Sequence, residues 1–159
     1  MDMISINFPG NYYTDSAIET ENIGRLLAAK IACDRSLPMF IAMYGDLGVG
    51  KTAFVRGFCS ELCPNATVKS PTFALVNEYK CIANECKIKK IYHFDMYRIV
   101  DEDDLYSIGF YDYLRNDALC VAEWCEMIPY ALPEKYVKVD ISKVDLENKR
   151  AISISIVGD

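Results

Sequence analysis

Residues 45–52 have the types and spacing of a loop that binds phosphate, because they read GDLGVGKT and match the pattern G-x-x-x-x-G-K-[ST]. The glycines let the backbone curl until successive N–H groups point at phosphate oxygens. In such a loop Lys51 reaches the β- and γ-phosphates, and the hydroxyl of Thr52 binds Mg²⁺. We expect Lys51 to be an exposed loop charge with no packing role. The residues predicted to bind the nucleotide phosphates are Leu47, Gly48, Val49, Gly50, Lys51 and Thr52.

Two acidic residues each end an apolar run, Asp95 after 91–94 and Glu123 after 119–122. In parallel α/β sheets ligands lie beyond the carboxyl ends of the strands, so both acids are predicted to lie near the phosphate loop. Glu123 also stands next to Trp124 in an apolar run, where an unpaired carboxylate would be costly and a bound Mg²⁺ would give it a partner. The alternative for each acid is a strand-terminal carboxylate that only faces water.

Three nearby residues have two interpretations each. His93 is either a structural core residue or a support for the acidic site. Trp124 either belongs to the core or forms a wall of the nucleotide pocket. Thr72 is either an ordinary turn residue or the residue that senses the γ-phosphate, because it follows the loop helix by a short connection, as such residues do in many P-loop proteins.

The elements that must position these residues alternate between strands and helices. A helix is predicted from Ser16 to Ala32, with Ser16 and Glu19 as a capping box. Further helices are predicted over 51–63 and beginning at 101–104. Strands are predicted over 3–8, 38–44, 72–80, 87–95, 118–124, 136–142 and 150–157, the last two antiparallel. The predicted fold class is α/β, a P-loop NTPase-like mixed sheet flanked by helices, in a single domain over 1–159.

Composition limits the classes of function. Hydrophobic residues make up 52% of the 159 residues, and the net charge is −6. This acidic balance argues against a nucleic-acid-binding surface, so any contact with RNA is expected only indirectly. The apolar stretches are far shorter than the roughly 20 residues that span a bilayer, and the acidic start lacks the apolar segment of a signal peptide. We therefore expect a cytoplasmic protein with no membrane contact.

Seven cysteines are many for this length. No pair has Cys-x-x-Cys spacing and there is one histidine, a combination that does not favour a zinc site. A disulfide framework would need export. The cysteines are therefore interpreted as reduced thiols that act as small hydrophobic residues, with a redox or metal role as the alternative.

Five blocks, in this order, resemble the TsaE (YjeE) family of small bacterial ATPases. They are GDLGVGKTAFVRGF (45–58), KSPTFALVNEY (69–79), YHFDMYRI (92–99), SIGFYDYL (107–114) and VAEW (121–124). The resemblance implies a P-loop α/β fold that binds ATP or ADP with Mg²⁺. It also implies a role in tRNA threonylcarbamoyladenosine synthesis, in association with the TsaB–TsaD pair that transfers the threonylcarbamoyl group to tRNA. ATP hydrolysis would let that complex turn over repeatedly.

The resemblance also assigns residues to roles. It implies that Thr52 and Glu123 bind Mg²⁺ and that Ser70 and Thr72 form a switch-like block. It places the purine pocket at 17–20, near Ala17. The resulting catalytic candidates are Lys51, Thr72, Asp95 and Glu123, and Ala17 and Trp124 join the phosphate loop as nucleotide-binding candidates.

Other functions stay open on the residues alone. A small-molecule kinase would share the phosphate loop, although the arginines show no lid-like cluster. A GTPase is disfavoured, because residues 142–145 read SKVD where the guanine-reading motif has Asn or Thr first. A nucleotide-dependent scaffold without significant hydrolysis is the alternative from a different class. Because no arginine stands in a recognisable finger position, an ATPase here is expected to be slow alone and activated by its partners.

Overall fold

The computed structural model describes residues 5–71, 75–114, 118–144 and 148–158. In these residues seven strands form one sheet in the order β1-β7-β6-β2-β5-β4-β3. The strands are β1 Gly10–Thr14, β2 Phe40–Tyr44, β3 Val76–Lys80, β4 Lys90–Asp95, β5 Leu119–Glu123, β6 Tyr136–Lys143 and β7 Arg150–Val157. The helices are α1 Ala17–Ala32, α2 Lys51–Leu62, α3 Glu102–Ser107 and α4 Phe110–Tyr113, with a 3-10 turn at Cys125–Met127.

The centre of the sheet is parallel and its two sides are antiparallel. Strand β2 pairs in parallel with both β5 and β6, and β4 pairs in parallel with β5. Strand β3 runs antiparallel to β4, and β7 runs antiparallel to β6 and β1. The predicted α/β class, with a mixed sheet and late antiparallel strands, is confirmed. The carboxyl ends of β2, β4 and β5 therefore meet at one edge, where a ligand site is expected.

Each face of the sheet carries its own apolar core, as the alternation along β2 requires. Ile41 and Met43 belong to the core that α1 and α2 cover. Phe40 and Ala42 belong to the core on the other face, under α3 and α4. The central strands are thus buried on both sides, which explains why β2 and β5 read as continuous apolar runs.

Helices α1 and α2 approach closely because glycines stand at their contact. A Cβ atom on Gly57 would lie 1.8 Å from the carbonyl oxygen of Glu21, and one on Gly24 would lie 2.2 Å from that of Phe54. No larger side chain fits at either position without separating the helices. This contact holds the start of α2, and with it the phosphate loop, against α1. Within the described residues, no helix has the length and apolar character needed to cross a membrane.

The predicted strand at 3–8 is wrong over residues 5–8, and residues 3 and 4 lie outside the described part of the chain. Residues 5–9 lie outside any strand, and the strand that pairs with β7 is Gly10–Thr14. Ile6 is buried, as its apolar type suggests, but its carbonyl oxygen accepts a hydrogen bond from Lys30 Nζ at 2.5 Å. Packing against α1, not strand pairing, accounts for this apolar segment.

The other predicted elements agree with the structure within a few residues. The capping box is confirmed, because Ser16 Oγ accepts the N–H of Glu19 at 3.1 Å and Glu19 accepts the N–H of Asp15 at 2.6 Å. Asp101 caps α3 in the same way by accepting the N–H of Asp104. The strand predicted over 72–80 is described from Val76 onwards, and its first residues lie outside the described part of the chain.

Candidate active site

The phosphate-loop sequence connects the end of β2 to the start of α2. Gly48 and Gly50 have φ values of 77° and 107°, a region that favours glycine, so the loop conformation depends on them. Helix α2 begins at Lys51, directly after the loop. Its first N–H groups and the positive end of its dipole therefore face the loop, which is the arrangement that binds phosphate.

Lys51 is packed inside this loop. Its side chain donates to the carbonyl oxygens of Gly45 and Asp46, the latter at 3.0 Å, and Nζ lies 3.8 Å from the ring centroid of Trp124. Only 5% of the residue is exposed, so the expectation of an exposed charge without a packing role is wrong. Burial lowers the pKa of Lys51, and the surrounding carboxylates, led by Glu126, oppose that shift. The loop surrounds the side chain of Lys51, and the linear motif does not reveal this burial.

The hydroxyl of Thr52 meets the carboxylate of Glu123. Thr52 Oγ1 lies 3.2 Å from Glu123 Oε1 and donates to it, across 71 residues of sequence. Glu123 is 3% exposed and ends β5. The two residues predicted to bind Mg²⁺ are therefore adjacent, and both present hard oxygen atoms beside the phosphate loop.

A buried chain of hydrogen bonds supports Glu123 from behind. His93 Nε2 lies 2.5 Å from Glu123 Oε2, and His93 Nδ1 lies 3.2 Å from the hydroxyl of Tyr79. The Tyr79 hydroxyl also donates to the carbonyl oxygen of Lys69 at 3.3 Å, so the chain continues from Glu123 through His93 and Tyr79 to the segment before β3. His93 is fully buried. Of its two interpretations, this geometry favours the supporting one.

Asp95 lies beside Glu123, since the two are register partners on β4 and β5. Its Oδ2 accepts a hydrogen bond from Ser70 Oγ at 3.2 Å, and its Oδ1 accepts the N–H of Tyr97 at 3.0 Å. The structure thus brings together the acid and the serine of the predicted switch-like block. Thr72 lies outside the described residues.

Trp124 forms one wall beside the loop. It has a φ of 62°, and its ring lies 4.8 Å from that of Tyr97 between centroids as well as against Lys51. It is half-buried. A planar aromatic side chain therefore lies against the lysine of the loop, on the side where the sequence predicts a nucleotide.

The start of α1 lies beside the loop. Ala17, the first residue of α1, is exposed. Thr20 is buried, shares a 2.7 Å hydrogen bond with Thr14, and lies 3.8 Å from where a Cβ of Gly50 would stand. The predicted purine region at 17–20 is therefore next to the loop.

Sequence reasoning missed two residues that hold the loop in place. Glu126 Oε2 accepts the N–H of Gly45 at 3.2 Å, and Arg150 Nε donates to the carbonyl oxygen of Val49 at 2.8 Å. They lie 81 and 101 residues from their partners. No local pattern signals contacts of that range, although Glu126 stands three residues after the predicted metal ligand.

The donor atoms fit a magnesium ion bound together with phosphates. In the described part of the chain, no group of three or more His, Cys, Asp or Glu side chains could hold a metal alone. Thr52 and Glu123 offer two hard oxygens, and Mg²⁺ is commonly bound by one or two carboxylates plus substrate phosphates and water.

The chain matches the family model described as threonylcarbamoyl adenosine biosynthesis protein TsaE over residues 14–152. The chain belongs to the TsaE family. It is 39% identical over 107 residues to the TsaE protein of Haemophilus influenzae, covering 67% of this chain and 65% of that protein, just under two thirds of its length. It is 36% identical over 141 residues to that of Rickettsia prowazekii, covering 88% of this chain and 90% of the relative.

Two comparisons involve Bacillus subtilis. The TsaE protein of that organism is 33% identical over 141 residues, covering 89% of this chain and 82% of the relative. The crystal structure of B. subtilis YdiB superposes with a TM-score of 0.70 at 26% identity, covering 94% of this chain and 86% of YdiB. The resemblance to TsaE found in the five sequence blocks is thereby confirmed.

Proposed function

We propose that this TsaE family member is a Mg²⁺-dependent P-loop ATPase of tRNA threonylcarbamoyladenosine biosynthesis that acts with TsaB and TsaD. The observation that carries the proposal is the 3.2 Å contact between Thr52 Oγ1 and Glu123 Oε1 at the start of α2. A threonine hydroxyl and a strand-terminal carboxylate beside a phosphate loop are the protein ligands that a nucleotide-bound Mg²⁺ needs.

The phosphates bind to the N–H groups of the loop and of the first turn of α2. Lys51 exchanges its bonds to the carbonyl oxygens of Gly45 and Asp46 for bonds to phosphate oxygens. Mg²⁺, when bound, neutralises charge that develops on the phosphates. Glu123 stays oriented throughout, because His93 holds its Oε2 atom.

Asp95 is proposed to hold the segment that precedes β3 and to orient the attacking water. Its two oxygens are bound to Ser70 and to the N–H of Tyr97, so its carboxylate is fixed relative to that segment and to the turn after β4. P-loop enzymes orient their water in this way more than they deprotonate it. Thr72 is proposed as the second residue of this switch-like block.

The nucleotide pocket is proposed to lie between Trp124 and the start of α1. Stacking on an aromatic side chain suits a purine base or a ribose. The exposed Ala17 leaves room for it at the first turn of α1. The buried Thr20, next to Gly50, supports that side of the pocket.

Partner activation is supported by the contacts of the arginines at and near the loop, since Arg150 Nε is bound to the backbone carbonyl oxygen of Val49. Arg56, although close to the loop in sequence, pairs with Glu21 of α1 at 3.1 Å. A transition-state cation supplied in trans can add about 10³–10⁵ in rate. A net charge of −6 also favours an arrangement in which TsaB and TsaD contact the tRNA and this chain does not.

The proposal is tested by phosphate release from this protein alone, from TsaB–TsaD alone and from the mixture. We expect slow release from the isolated chain and a rate in the mixture well above the sum of the parts. Lys51→Met is the control, because methionine keeps an unbranched stem against Trp124 and removes the charge. A mixture equal to its sum contradicts partner activation. Nucleotide binding without any Mg²⁺-dependent release would instead support a nucleotide-dependent scaffold.

A further inference from the structure

Two thiols meet at the end of α2 that lies away from the phosphate loop. Cys63 directly follows α2 and Cys81 directly follows β3. Their sulfur atoms lie 3.1 Å apart. The backbone holds the two chain segments together at the same place, since the N–H of Ile82 donates to the carbonyl oxygen of Leu62 at 2.8 Å. Both cysteines are reduced in this structure.

The two thiols differ in exposure and acidity in the way that thiol–disulfide exchange requires. Cys63 is buried and Cys81 is half-exposed. The hydrogen bond from the Cys63 thiol lowers the pKa of Cys81, because it stabilises the Cys81 thiolate, and the same bond together with burial raises the pKa of Cys63. Cys81 is thus the accessible nucleophile, and Cys63 is the buried thiol placed to react second and complete thiol–disulfide exchange.

Cys59 is the nearest competing thiol, one helical turn before Cys63. It is fully buried, and burial raises its pKa. Its thiol is close enough to interact electrostatically with Cys81 and Cys63, but no hydrogen bond of its sulfur to either is found in the described residues, whereas the Cys63 and Cys81 sulfurs lie 3.1 Å apart. The geometry therefore selects one pair out of the cluster.

We propose that Cys63 and Cys81 are a redox modification site that forms a reversible disulfide with a low-molecular-weight disulfide of the glutathione type as oxidant. The Cys81 thiolate attacks one sulfur of the oxidant, and the first thiol of the oxidant leaves. The Cys63 thiol gives up its proton to solvent, and its sulfur attacks the Cys81 sulfur and releases the second thiol. The two cysteines are oxidised, and the small disulfide is reduced to two thiols.

The bond would join both ends of the segment 64–80, which carries Ser70. Ser70 is the residue that donates to Asp95, so the cross-link would tie the geometry of the candidate active site to redox state. This consequence rests on the proposed function, but formation of the bond does not. Closing a loop of this length stabilises a protein of this size by an amount equivalent to a rise in melting temperature of about 6–12 °C.

The experiment treats the folded protein with oxidised glutathione, blocks the remaining thiols with iodoacetamide, and maps the digested peptides by mass spectrometry. We expect a peptide pair joined through Cys63 and Cys81, loss of two thiols out of the seven, and the rise in melting temperature. Cys81→Ser should remove all three changes. Cys86→Ser is the matched control, because it replaces a second half-exposed cysteine near the end of β3 and should leave all three changes in place.

Three results would overturn the proposal: seven free thiols after treatment, a bond that maps to Cys59, or glutathione that stays attached to Cys81 with no internal bond. None of these readouts involves nucleotide, so a failure of the disulfide proposal can be distinguished from a failure of the ATPase proposal.

Discussion

Glu123 and Asp95 end neighbouring parallel strands as register partners, yet the protein holds them in different ways. Glu123 is 3% exposed, and both of its oxygens are bound by side chains of the framework, Thr52 on α2 and His93 on β4. Asp95 is half-exposed, and one of its oxygens is bound by Ser70, which lies between α2 and β3. Glu123 is therefore held by the sheet and by α2, and Asp95 is held by a connecting segment.

If the proposed function holds, the difference matches two separate tasks of a phosphate-transferring site. A metal ligand gains from a rigid position, because Mg²⁺ demands near-ideal geometry. A residue that responds to the γ-phosphate gains from contact with a segment that can change its position. The two acids have a similar sequence context, but Glu123 is held by His93 of the sheet and Asp95 by Ser70 of a connecting segment.

The largest effect is expected from Glu123→Gln. Phosphate release should fall at least about 100-fold, because the charge that holds the metal is lost, while nucleotide binding to the loop amides should change far less. Glutamine keeps an oxygen acceptor for His93, so the fold is retained. Phosphate release and calorimetric nucleotide binding are measured on the same sample. Wild-type hydrolysis in this variant would show that the metal site lies elsewhere.

Asp95→Asn should have a smaller effect of a different kind. Asparagine loses the negative charge and keeps one oxygen acceptor, so it can accept a hydrogen bond from only one of Ser70 and Tyr97. We expect phosphate release to fall about tenfold, the equivalent of about one hydrogen bond. Ser70→Ala, which removes the same contact from its other side, should give a comparable loss in the same assay. If Asp95→Asn abolished release while Ser70→Ala had no effect, Asp95 would act on the metal or the water without the segment.

Tyr79→Phe should give the smallest effect. It removes the hydroxyl that lies 3.2 Å from His93 Nδ1 and that also donates to the carbonyl oxygen of Lys69, and so it weakens the support of Glu123 indirectly. Loss of one buried hydrogen bond costs about 1 kcal/mol, which lowers the melting temperature by about 2–4 °C. Phosphate release should fall only a few-fold. Tyr13→Phe is the control, since that hydroxyl belongs to a tyrosine that is 69% exposed. Equal melting temperatures for the two variants would remove Tyr79 from the supporting chain.

The sequence was sufficient for features that depend on neighbouring residues. The phosphate loop, the capping box at Ser16 and the apolar runs that end in Asp95 and Glu123 are all local patterns, and strand ends in a parallel sheet converge by geometry. The family resemblance added the assignment of Ser70 and the region around Ala17.

Features that depend on tertiary packing could not be predicted. The carboxylate of Glu126 and the guanidinium of Arg150 reach the loop from distant segments, so no local spacing encodes them. The burial of Lys51 depends on the side chain of Trp124, which packs over it from the position directly after β5. The first strand was misplaced because an apolar residue such as Ile6 can be buried by a helix as well as by a sheet.

The most direct test is the Mg²⁺ concentration that gives half-maximal ATP-dependent phosphate release, measured in the wild type, in Glu123→Asp and in Asp95→Asn with TsaB and TsaD present. Glu123→Asp keeps the charge but withdraws the carboxylate from Thr52. We predict that its half-saturating Mg²⁺ concentration rises at least about tenfold, as expected for a disturbed metal ligand, while that of Asp95→Asn stays within about twofold of the wild type. The reverse order, or phosphate release that does not depend on Mg²⁺ at all, would contradict the account.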